Sequence, residues 1–259
     1  MYNATGISTP QQAKLKLSKY GSDYFDDPVA YISIVGALQY VTITRPEIGY
    51  VVNKVCQFMA QPLTSYWSAV KRILRYLRGT VDFGLHFQSA STTAPLSLQG
   101  FSDSDWVFDV DDRRSTFGAC IFFGPNLISW WSKKQTLVAH STAEAKYRSL
   151  ALATSEILWI QSLLNELQVQ IPTPVLYCDN QSTISLSHNP ILHSRTKHME
   201  LDIFFVREKV LNKSLIVFYV PTQAQVADIL TKHVSKVQLC SFRDKLKVLG
   251  SSQPKFVGE

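Results

Sequence analysis

The stretch Leu96–Trp106, LSLQGFSDSDW, decides how the rest of the chain is read. It opens apolar, as a strand does, and that pattern ends at Asp103 before polar residues that signal a turn. An aspartate at the end of a strand sits where backbone pairing stops, so its carboxylate can reach a metal ion or solvent. Taken alone, Asp103 reads more simply as a turn residue, because Asp and Ser hydrogen-bond their own backbone in turns. The segments on either side change that reading.

Toward the C-terminus, further strands are expected at Gly118–Phe123 and Leu127–Ser132, joined by the tight turn Gly124-Pro125-Asn126. Connections this short make three consecutive antiparallel strands. Residues 141–169 then carry a long helical pattern, followed by an apolar strand at Val175–Cys178 and a short helix near 181–187. A helix over 196–211, a fifth strand over 215–219 and another helix starting over 225–231 complete the pattern. A meander followed by alternating helix and strand predicts an α/β fold with a five-stranded sheet of mixed direction.

Toward the N-terminus the period is helical. Pro28 opens one helix, Glu47 a second, and Thr64–Leu77 a third, with Trp67, Val70, Leu74 and Leu77 as its apolar stripe. Lys71, Arg75 and Arg78 form a basic stripe on the same helix, read as a solvated face with phosphate contact as the second choice. The polar run QSASTTA, residues 88–94, sets the expected boundary. The expected organisation is therefore a helical segment over 1–90, an α/β domain over 91–250 and a tail over 251–259.

The formal charge of +6 and pI near 9.1 favour a polyanionic partner. Cys56, Cys120, Cys178 and Cys240 have no paired spacing, which suits neither a disulfide framework nor a zinc site and points to a reducing, intracellular compartment. No apolar run approaches the roughly 20 residues of a membrane helix, and no signal-peptide pattern is present.

Two further acids occupy places equivalent to that of Asp103. Asp179 follows the strand Val175–Cys178 directly, and Asp228 lies after the fifth strand. Carboxylate oxygens are the ligands that magnesium and manganese prefer. Two such ions about 3.5–4 Å apart can clamp the attacking and leaving oxygens of a phosphoryl displacement.

Here a resemblance becomes specific. FSDSDW, DDRRSTFGACIFF, LISWWSKKQ, STAEAKYRSLALATSEILWIQSLL, LYCDNQSTISL, RTKHMELDIFFVREKV and VPTQAQVADILTK resemble the ribonuclease H domain of copia-type retrotransposon Pol polyproteins. Upstream, VGALQYVTITRPEIGYVVNKVCQFM and YWSAVKRILRYLRGT resemble the thumb and connection of the same polyproteins. The palm motif YVDD is absent, so polymerase activity is not expected, and the chain looks like the C-terminal part of such a polyprotein. The resemblance implies a ribonuclease H-like fold that binds an RNA–DNA hybrid and cuts its RNA strand with two Mg2+ ions. It also implies a possible partner in the polymerase part of the polyprotein. By position, Asp103, Asp179 and Asp228 would be the first, third and fourth metal-binding carboxylates.

The second carboxylate is missing. The family has a glutamate one residue before the tyrosine of the long helix, whereas this chain reads Ala145-Lys146-Tyr147. Lys146 heads the stripe Leu150, Ala153, Ile157, Ile160, Leu164 and Leu167 that is expected to face the sheet. A lysine there is odd unless that end of the helix opens onto a polar site, with a lysine snorkelling from a helix end as the second choice. Glu144 points about 200° away and fits a capping box with Ser141, so it is expected to be structural. A cation in place of a ligand is worth several kcal/mol of repulsion at an effective dielectric of about 20. The expectation is a folded nuclease with impaired cleavage. A non-catalytic nucleic-acid-binding module and a functionless remnant are the alternatives.

Arg113, Arg114, Lys133, Lys134, Arg195 and Lys197 form basic clusters suited to phosphates, with solvated surface as the plainer reading. Asn180 is placed to meet the minor groove of a hybrid, where ribose hydroxyls mark RNA.

Overall fold

The computed structural model describes residues 4–12, 17–89, 96–106, 109–188 and 199–251. In chain order, helices α1 (Pro28–Val41), α2 (Gly49–Cys56) and α3 (Thr64–Gly79) precede a short strand β1 (Phe83–Leu85). Then come β2 (Leu98–Asp105), β3 (Thr116–Phe123), β4 (Asn126–Lys134), α4 (Thr142–Glu166), β5 (Val175–Cys178) and α5 (Gln181–His188). The last elements are α6 (Glu200–Leu211), β6 (Ile216–Tyr219), α7 (Lys236–Lys245) and β7 (Val248–Gly250).

Packing divides the chain into two compact units, Met1–His86 with Lys232–Glu259, and Phe87–Thr231. The first division falls between His86 and Phe87. At the other end, α7 and β7 lie inside the expected 91–250 span yet pack with the N-terminal helices. The reason is local: β7 pairs antiparallel with β1, Phe83 opposite Gly250, and the Arg243 guanidinium lies 4.2 Å from the centre of the Phe83 ring.

In the first unit, Asp27 caps α1 by accepting from the Ala30 amide, and Pro28 opens the helix with a fixed φ. Tyr31, Val35, Val55, Val70 and Ile73 form the core. Arg45 and Glu47 pair at 2.7 Å inside it, and Arg45 also donates to Thr80 O and Oγ1. Burial raises the Glu47 carboxyl pKa against the pull of Arg45. The expected stripe of α3 is rotated. The helix buries Tyr66, Ala69, Val70, Ile73 and Tyr76, and leaves Trp67, Leu74 and Leu77 half-buried. Tyrosine can go inside because its hydroxyl finds an acceptor, Ser18 O for Tyr66 and Glu47 Oε1 for Tyr76. The basic stripe is partly engaged: Arg75 donates to Thr5 O at 2.9 Å.

The second unit has the expected ribonuclease H-like architecture, a mixed five-stranded sheet with helices. Strand order is β4-β3-β2-β5-β6, the first three antiparallel and the last two parallel to β2. Helix α4 packs on this sheet through Tyr147, Leu150, Ala153, Ile157, Ile160 and Leu164. Leu167, the expected last member of the stripe, lies past the helix end and is 64% exposed. At Gly100 an added Cβ would come within 2.8 Å of both Ile157 and Leu176, so β2 and α4 approach closely there. Among the described residues no helix is long and apolar enough to cross a membrane.

Candidate functional site

Strand β2 runs past Asp103 and ends two residues later, so the acid sits within the ladder, opposite Gly118, and not at the strand's tip as expected. The continuation follows from Ser104 and Asp105 pairing with Phe117 and Thr116. Asp103 is fully buried. Because β5 runs parallel to β2, with Tyr177 beside Phe101, Asp179 just beyond β5 comes alongside Asp103. That is the carboxyl edge of two parallel strands, where α/β sheets gather functional groups.

Asp228 arrives differently. Residues 225–231 were expected to start an α-helix, but Val226–Leu230 form a 3-10 turn, closed by Asp228 N to Gln225 O and Thr231 N to Asp228 O. The Gln225 side chain holds the turn to the sheet. Its amide donates to Ser102 O at 3.1 Å, and its oxygen accepts from Ala227 N at 3.3 Å. The turn can approach β3 because Gly118 has no side chain; a Cβ there would lie 2.7 Å from Leu230 Cβ and 3.0 Å from Trp131 O. Carboxylate oxygens of Asp103, Asp179 and Asp228 thus all lie within 4.8 Å of one another.

Lys146 joins them. It lies just beyond the first turn of α4, whose start is fixed by Ser141 Oγ accepting from Glu144 N and by Glu144 accepting from His140 N and Arg148. Gln135 Nε2 donates to Ala145 O at 3.0 Å, and Ser149 Oγ donates to Asp103 O at 2.8 Å. These ties aim the lysine inward. Its ammonium lies 2.8 Å from Asp103 Oδ1 and also bonds Asp179 Oδ1. Side-chain exposure is 10% for Lys146, 0% for Asp103 and 5% for Asp179, so this is an interior bridge. Burial alone would lower the lysine pKa, but Asp103 and then Asp179 outweigh it and raise the pKa above the ordinary lysine value. The Oδ2 atoms are also engaged, Asp103 by the Thr231 hydroxyl at 2.5 Å and Asp179 by Thr222 at 3.4 Å. Burial pushes the neighbouring Cys178 thiol up to about 12, so it remains protonated and offers no thiolate ligand.

Three carboxylates are the donor set that hard divalent cations take. Here, however, one ammonium already bonds an oxygen of two of them, in the space where a shared cation would bridge. The residues present do not fit a pair of divalent ions, and the geometry supplies no metal-assisted step.

The residues expected to meet nucleic acid are in part engaged with neighbouring acids. Lys134 bridges Asp109 at 2.6 Å and Asp112 at 2.9 Å, and Arg114 reaches Asp112 at 3.7 Å. Arg113 is exposed with φ of 62°, in the left-handed region, and Lys133 lies over the Trp131 ring at 5.8 Å. Asn180 caps α5, its oxygen accepting from Thr183 N at 2.9 Å. Arg195 and Lys197 lie outside the described residues. Sequence reasoning missed Thr231, Gln225, Ser149 and Gly118. Only Gly118, a glycine inside a strand pattern, carried a signal of close backbone approach.

No protein-family model matches the chain. It is 44% identical over 250 residues to the Pol polyprotein from transposon RE2 of Arabidopsis thaliana, covering 96% of this chain and 17% of that protein. With the Pol polyprotein from transposon TNT 1-94 of Nicotiana tabacum it shares 40% over 249 residues, 93% of this chain and 18% of the relative. Among solved structures, LC11-RNase H1 in complex with an RNA/DNA hybrid aligns over 52% of this chain and 94% of that one, at 13% identity and a TM-score of 0.41. The match covers nearly the whole of this chain but under a fifth of each relative, and the chain is homologous to a segment of the Pol polyproteins of copia-type retrotransposons.

Proposed function

We propose that the chain binds RNA–DNA hybrid as the ribonuclease H-like part of a retrotransposon Pol polyprotein, and that Lys146 suppresses its cleavage of the RNA strand. The observation that carries this reading is the Lys146 ammonium bonded to both Asp103 and Asp179. In a ribonuclease H site those acids and Asp228 would hold two Mg2+ ions, which activate water and stabilise the leaving oxygen. A fixed positive charge at hydrogen-bond distance from two of the ligands opposes both ions. Binding depends instead on basic surface, to which Arg113, Arg114, Lys133, Lys134, Arg195 and Lys197 contribute, with Asn180 near the acids. Residues 1–90 serve as a thumb and connection segment in this reading, and the polymerase part of the polyprotein is their natural partner.

The test uses the full chain with a labelled RNA–DNA hybrid. Wild type is expected to bind with an affinity that falls at least about tenfold between 50 and 200 mM salt, as phosphate contacts dictate, and to cut no faster than background in Mg2+. Lys146→Glu is expected to gain Mg2+-dependent cleavage. Robust wild-type cleavage would overturn the proposal. Absence of both binding and cleavage would leave a remnant without nucleic-acid function.

A further inference from the structure

Three acids gathered within 4.8 Å, two of them essentially without water, must repel one another strongly unless a cation lies among them. Here the cation belongs to the chain itself. We infer that Lys146 is a built-in counter-ion that holds the acid cluster together, so that the fold of residues 87–231 is independent of divalent cations. This deepens the reading of Asp103, Asp179 and Asp228 as the counterparts of metal-binding acids, but it concerns folding and ion binding and not cleavage.

The geometry supports a structural part in four ways. The ammonium ties together three elements, α4 through its own backbone, β2 through Asp103 and the end of β5 through Asp179. Lysine suits that place because its compact head offers three donors around one point charge, and bridging two carboxylates uses them without a planar fork. The bridge is interior, unlike the exposed pairs that contribute almost nothing to stability. Its position is also fixed from outside the acids, since Gln135 and Ser149 hold the start of α4 against β2. The amine therefore reaches the acids without a metal ion to organise them. The ammonium opposes any further cation at Asp103 and Asp179, so the cluster holds cations more weakly than an open three-carboxylate site would.

The experiment compares the full-length wild type with Lys146→Met, which retains length and loses charge, and with Leu150→Ala, which removes buried volume from the same helix. No nucleic acid is present. Thermal unfolding is followed in EDTA and in excess Mn2+, and bound Mn2+ is counted by electron paramagnetic resonance. The wild-type midpoint is expected to be the same in both conditions to within about 1 °C. Lys146→Met is expected to melt lower in EDTA, to recover about 5 °C or more in Mn2+ through mass action, and to bind Mn2+ at least tenfold more tightly than wild type. Leu150→Ala should melt lower with no rescue by Mn2+. The inference is overturned if wild type gains several degrees in Mn2+, or if Lys146→Met is as stable as wild type in EDTA. Should Lys146→Met fail to fold in either condition, the wild-type arm decides: an unchanged midpoint without tight Mn2+ binding supports the inference, and tight Mn2+ binding overturns it. Hybrid cleavage is measured separately, so failure of the functional proposal and failure of this inference are distinguishable.

Discussion

The Thr231 hydroxyl donates to Asp103 Oδ2 at 2.5 Å where neither residue is exposed to solvent. A hydrogen bond to an ionised group in such a place is among the stronger single contacts, since losing it leaves a buried charge poorly solvated. Thr231→Val keeps the shape and removes the donor. Urea unfolding is expected to show a loss of about 1.5–3 kcal/mol, whereas a change below 0.5 kcal/mol would mean that the bond is made equally well by water. Asp179 was legible in the sequence because it directly follows an apolar strand, and Asp103 because it breaks the pattern of one; Asp228 lies nine residues beyond β6 and was picked out by the resemblance. Lys146 was legible as an oddity, a cation heading an apolar stripe. Thr231 and Gln225 were not, because a single polar residue in a short segment has no period to betray which way it points.

Gly118 shows how an element can be shaped by what must pack on it. The strand is otherwise built of Thr, Phe, Ala, Cys and Ile, and at this one position the 3-10 turn carrying Asp228 presses against the backbone. Gly118→Ala puts a methyl group against Leu230 Cβ and a backbone oxygen, atoms that cannot swing aside. The expected cost is about 1–3 kcal/mol of stability, read as a lower midpoint in chemical denaturation. A neutral substitution would show that the turn is free to retreat. Long elements with a full period, α4 above all, were readable to within about three residues at either end. The turn over residues 226–230 was misread as an α-helix because five residues cannot distinguish a three-residue period from a 3.6-residue one. Helix α3 was read with its buried face rotated, because tyrosine counts as polar in a simple pattern until its hydroxyl has an acceptor.

At the scale of the molecule, the break near residue 87 was visible as a polar, small-residue run, whereas the return of the chain to its first unit was not. Strand β7 has three residues, too few to show alternation, and nothing local in it or in β1 announces the pairing. The pairing nevertheless has a consequence for how the protein comes into being. The sheet-bearing unit is an insertion, continuous in sequence, and all its strands precede β7 in the chain. The helical unit takes its final strand from beyond that insertion. Distant pairing also carries the larger loop-closure cost and so forms late. In pulse-labelled refolding the amides of β2 and β3 are therefore expected to gain protection before those of β1 and β7, and simultaneous protection would mean that the two units fold as one. A chain lacking Val248–Gly250 would keep every member of the acid–lysine cluster and yet leave β1 without the strand it pairs with.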